Sequence, residues 1–107
     1  MSTNKLPFTA LQRGAARHIE FPLHPQTVDA DQVGRLLEGL LDTISRQIDD
    51  QSQVSDGDVL QSLCMTLAIR MNMLKAPSST VRNLVSTLLE PADDAVASSI
   101  VQPAGTA

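Results

Sequence analysis

The sequence predicts an all-α fold: a small domain of three helices, or four if the segment after Pro91 forms a turn of its own, built on a long antiparallel helical hairpin. Three observations lead there. Two helix starts carry nearly the same capping signal, at Asp29 and Ser55. Apolar residues recur at helical spacing through most of residues 33–89. Only one short stretch, residues 17–24, alternates with the period of a strand. The helical domain is placed at residues 28–101. A flexible or extended arm (1–27) is expected before it, and a disordered tail (102–107) after it.

In the arm, residues 1–16 show no clear period, and Gly14, Ala15 and Ala16 read as a flexible joint. Ile19, Phe21 and Leu23 then alternate with His18, Glu20, Pro22 and His24, which suits a short strand. Pro22 lacks a backbone donor and confines that strand to an edge. With no second strand expected, its partner would be another copy, which makes Ile19, Phe21 and Leu23 interface candidates.

The first helix starts after Asp29, with Gln32 three residues on as in a capping box and Val28 and Val33 at staple positions. Val33, Leu36, Leu37, Leu40, Leu41, Ile44 and Ile48 fill an arc of about 140°, with the charges opposite. Gly34 and Gly39 lie inside this helix and leave two readings open: close approach of another backbone, or tolerated slack. Ser55 and Asp58 repeat the start signal, and a second helix is expected over Asp56–Lys75, stopped by Ala76-Pro77. A third is expected over Thr80–Glu90, with Pro91 ending it or opening a weak fourth turn.

The second helix differs from its neighbours. Its main stripe is Leu60, Leu63, Cys64, Leu67, Met71 and Leu74, and a second row, Met65, Ile69 and Met73, runs along another side. A helix apolar on more than one side is usually central. The first and third helices could cover one row each, or a second subunit could take the place of the third; the third helix is only about 16 Å long at 1.5 Å per residue, which leaves part of the Met row exposed and favours the second arrangement. Met65, Ile69 and Met73 are therefore interface candidates, and a homodimer or higher oligomer is expected.

Composition limits the chemistry. The chain has 107 residues, a net charge of −4, two Phe, no Trp or Tyr, and a single cysteine, Cys64, so no internal disulfide can form. Residues 1–27 carry three bases and one acid, +2 in all; residues 28–107 carry five bases and eleven acids, −6. That acidic body disfavours a phosphate backbone. No apolar run suggests a secretory signal or a membrane span, so a cytoplasmic setting is expected. His18, Glu20 and His24 could ligate a metal, but no supporting cluster accompanies them. The acids around residues 49–58 do not match a calcium loop. No phosphate loop or nucleophile elbow is present, so neither enzymatic activity nor a cofactor is expected.

Three function classes follow. The first is a non-enzymatic protein–protein interaction module (an adaptor, accessory subunit or regulator) that associates with itself and with another protein. The second is a DNA-binding regulator of helix-turn-helix or ribbon-helix-helix type, using Arg70, Lys75 and Arg82 near the turn, or Arg13 and Arg17 in the arm. The third is a small enzyme or metal-binding protein built on His18 and His24.

Overall fold

The computed structural model describes residues 5–12, 14–50 and 53–103. Three strands and three helices follow in the order β1 (Lys5–Gln12), β2 (Ala15–Pro22), α1 (Ala30–Asp50), α2 (Asp56–Asn72), α3 (Ser78–Ala97) and β3 (Ile100–Pro103). The strands form one antiparallel sheet in the order β1-β2-β3. The fold is therefore α+β, and the all-α helical-bundle expectation is corrected. The chain divides into two compact units: Met1–Gly34 with Ser86–Ala107, and Arg35–Val85.

The first unit is organised by β2, which pairs on both sides. Lys5 lies opposite Pro22 and Gln12 opposite Ala15, so β1 and β2 form a hairpin in full register. Gly14 sits in the connection at φ 78, a left-handed conformation that costs other residues about 1–2 kcal/mol. The expected flexible joint is thus a hairpin turn at Gly14 followed by the start of β2 at Ala15 and Ala16, and half of residues 1–16, expected to be loose, form β1. On the other side Ala15 to His18 pair with Pro103 to Ile100. The first two residues of the expected disordered tail, Gln102 and Pro103, thus belong to β3; residues 104–107 lie outside the described residues.

The alternation of the strands fixes two faces. Leu6, Phe8, Ala10, Arg17, Ile19 and Phe21 are covered to varying degrees, while Lys5, Pro7, Thr9, His18 and Glu20 are exposed. Ile19 is the most buried residue of this face, at 5% exposed, and lies opposite Phe8. The rings of Phe8 and Phe21 stand 6.5 Å apart and tilted by 50°, a favourable aromatic arrangement. Gly34 in the first turn of α1 faces Leu6: a Cβ there would lie 3.4 Å from Leu6 Cδ1, ordinary contact distance. The neighbour of Gly34 is thus a side chain and not another backbone, and a Cβ on Gly39 meets nothing within 4 Å, so neither glycine is required by a close backbone approach.

Both helix starts lie where the capping signals place them. The Gln32 amide donates to Asp29 Oδ1 at 3.2 Å, and the Asp58 amide donates to Ser55 Oγ at 3.1 Å. α2 ends at Asn72, three residues short of the expected end. α3 departs further: it runs through Pro91 to Ala97. Proline removes one helical donor and crowds the preceding turn. The turns beyond it are held by partly buried Ala92, Ala95 and Val96, spaced for one helix face. Tertiary burial outweighs the local stop signal here.

In the second unit the helices are individually regular but barely cover one another. Strand pairing supplies the extensive contacts between elements, and no helix pair adds a comparable one. The expected long antiparallel hairpin is therefore corrected too: α1 and α2 follow in sequence without packing along their lengths. Among the described residues of this unit, Val81 is the one buried hydrophobic residue.

Two glycine substitutions test this description by urea denaturation at fixed protein concentration. Gly14→Ala is expected to cost about 1–2 kcal/mol through its positive φ. Gly39→Ala is expected to gain roughly 1 kcal/mol, because helix propensity improves and nothing obstructs the methyl group.

Candidate functional site

α2 is the place where the sequence and its own fold disagree most about solvent. Its start is well made: Ser55 is extended at φ −87 and ψ 152 and caps the Asp58 amide, and Asp56 and Asp58 sit in the positively polarised first turn. Its end is also closed, with the Met73 amide donating to Arg70 O at 3.1 Å. Along the helix Thr66 Oγ1 donates to Ser62 O at 2.8 Å and Asn72 Nδ2 to Ala68 O at 2.8 Å. These polar side chains are satisfied by their own helix and reach no other element.

No residue of α2 is buried. Met65, Ile69 and Met73 are 57%, 64% and 60% exposed. Leu60, Leu63, Leu67 and Leu74 on the main stripe are exposed as well, as is Cys64. Apolar exposure also extends to Leu36, Leu40 and Leu41 of α1 and Leu84 of α3.

The other interface candidates are placed differently. Ile19 is buried and Phe21 partly covered within the chain's own sheet, and Leu23 is partly covered just after β2. The structure thus separates the two groups: the arm residues serve the first unit, and the Met65–Ile69–Met73 row stays open.

Among the described residues, no hydrogen bond or ion pair joins the basic candidates to one another. Arg70, Lys75 and Arg82 are exposed, and Arg70 Nη1 donates to Met73 Sδ at 3.4 Å within its own helix end. Arg17 is engaged elsewhere. Its Nη1 donates to Ser99 Oγ at 2.9 Å and to Val96 O at 3.3 Å. A guanidinium there satisfies a carbonyl of the last turn of α3 and complements the negative end of the helix. Arg13 lies outside the described residues.

The histidines serve the sheet. Thr9 Oγ1 lies 3.1 Å from His18 Nδ1, and His18 Nε2 lies 3.0 Å from Gln102 Oε1, so one imidazole links all three strands on the exposed face. The simplest tautomer has Nε2–H donating to Gln102 while Nδ1 accepts from the Thr9 hydroxyl. His24 Nδ1 accepts the Gln26 amide at 3.1 Å. Among the described residues no three of His, Cys, Asp and Glu gather in a way that could hold a metal ion. Nor is any helix long and apolar enough to cross a membrane.

The sequence did not reveal Thr9 and Gln102 as cross-strand partners of His18, nor Arg17 as a cap on the end of α3. Their contacts join residues up to 84 positions apart, and no local pattern announces such a pairing. Comparison of the chain with protein-family models, with curated proteins and with solved structures gives no significant match.

Arg17 supplies the test of this assignment. Arg17→Met is expected to lower stability by about 1–2 kcal/mol by removing a charge-assisted helix cap. Arg17→Lys should recover part of that loss. A thermal shift within error of the parent for Arg17→Met would remove its capping role.

Proposed function

We propose that this chain is a non-enzymatic protein–protein interaction module, working as a small adaptor, accessory subunit or regulator, and that it associates with itself. The observation that carries this reading is the absence of any buried residue along α2. A helix of mixed apolar and polar composition gains most of its stability from packing, because isolated helices of this length are marginal in water.

Magnitudes support the reading. Leu60, Leu63, Met65, Leu67, Ile69, Met73 and Leu74 are each roughly half exposed. Leu60, Leu63, Leu67 and Leu74 share one stripe; covering the remainder of each contributes about 1 kcal/mol, so two copies joined through that stripe gain on the order of 8 kcal/mol. Association itself costs about 4–15 kcal/mol in lost freedom of motion. α2 alone therefore stands near the threshold, and the exposed leucines of α1 and α3 add to the favourable side. The acidic body argues against a nucleic-acid backbone as the main partner. A cytoplasmic setting suits an exposed, unpaired thiol at Cys64, since reducing compartments keep such thiols free.

Sedimentation velocity at micromolar concentration tests the proposal. The parent chain is expected to run as a dimer or larger species. Leu67→Asp should shift it to monomer and reduce its helical circular dichroism, while Glu38→Gln, exposed on the charged side of α1, should leave both unchanged. A well-folded strict monomer for the parent chain would end this reading.

A further inference from the structure

We propose that α2 packs antiparallel against α2 of a second copy, so that one symmetric helix pair forms the centre of the assembly. This rests on the self-association reading above and specifies which surface meets and in which direction.

The charge distribution along α2 points to that direction. Its first turn carries two acids, Asp56 and Asp58, and its last turn carries one base, Arg70. The segment between them, Val59–Ile69, has no charged residue. None of the three end charges forms an ion pair with another described residue. A parallel second copy would set acid beside acid at one end and base beside base at the other. An antiparallel copy sets the acidic end of each helix beside the basic end of its partner, twice over by symmetry. The helix dipoles favour the same arrangement, since opposite ends then adjoin.

The apolar pattern supplies a matching surface. Leu60, Cys64, Leu67 and Met71 follow at intervals of four, three and four, the spacing of a coiled-coil seam. All of them lie on a helix with no buried residue. Because the seam spans most of the helix, an antiparallel pair centred on it also brings the charged ends into reach of each other. A two-fold contact buries the same patch on both copies, so one exposed stripe is sufficient. Flanking the stripe, the Thr66 hydroxyl and one N–H of the Asn72 amide already donate within their own helix, which lowers the cost of covering them.

Disulfide trapping tests both the surface and the direction. In a Cys64→Ala background, Gln61→Cys and Asn72→Cys place single thiols on one exposed flank near opposite ends of α2. The two variants are oxidised separately and as an equal mixture, with sedimentation run on the reduced proteins. Little cross-linking of either variant alone is expected, with a mixed 61–72 disulfide above the statistical half of all cross-linked chains in the mixture. Homodisulfides from each variant alone, with no excess of the mixed species, overturn the antiparallel direction. A reduced dimer that yields no cross-link in any tube overturns the α2 pairing and leaves self-association standing through another surface. A reduced protein that sediments as a monomer overturns both, and leaves α2 as a surface for a different protein.

Discussion

Fixing one residue of backbone costs about 1–2 kcal/mol in conformational entropy, and the described residues of 35–85 set against that cost one buried hydrophobic side chain, Val81. Caps, local hydrogen bonds and an Asp42–Arg46 pair at 3.2 Å do not close such a gap. That pair is exposed, and surface pairs of this kind contribute well under about 1 kcal/mol. Three regular helices persist over this stretch only if apolar surface leaves water by some other route. The apolar stripes of α1 and α2, and the start of α3, are the surface available. Everything proposed about function descends from that imbalance.

The other unit has the opposite character. β2 is paired along its whole length to β1 and along half of it to β3, so most of its backbone groups are satisfied within the chain. Its polar side chains are also turned to structural use. Arg17 closes the end of α3 on the covered face, while His18 joins Thr9 and Gln102 on the exposed face. Neighbouring residues of one strand thus tie the two ends of the sequence together from both sides. Of the two histidines that could have suggested a metal site, His18 takes part in this bracing and His24 accepts the Gln26 amide in the turn that follows β2.

These two units also mark what could be read from sequence. Asp29 and Ser55 were legible because a cap is a local event: an oxygen, an amide three residues later, and little else. The alternation of Ile19 and Phe21 was legible for the same reason. β1 was not recognised, although Leu6, Phe8 and Ala10 alternate correctly, because Pro7 interrupts the run and Gly14 reads equally as a hinge or a hairpin turn. β3 has four residues and exists through its pairing with β2, which no short window contains. The continuation of α3 past Pro91 depends on burial of Ala92, Ala95 and Val96, again a non-local gain. The α2 surface was visible as two apolar rows, since spacing alone defines a face. What periodicity does not encode is the identity of the element that covers it.

A two-sided apolar helix satisfies the same sequence pattern whether it is central to one chain or central to an assembly. The two rows of α2 nevertheless ask for different neighbours. The Leu60–Cys64–Leu67–Met71 seam alternates four and three, which suits a helix crossing at about 20°. The Met65–Ile69–Met73 row steps by four throughout and forms a ridge, which suits a more steeply crossed helix, at about 50°. One straight partner cannot meet both requirements. If the seam is taken by a symmetric copy, the ridge stays available to a second, crossing element, and its two methionines can adapt to more than one shape. Self-association and recruitment of another protein would then use opposite sides of the same helix, and neither would have to displace the other.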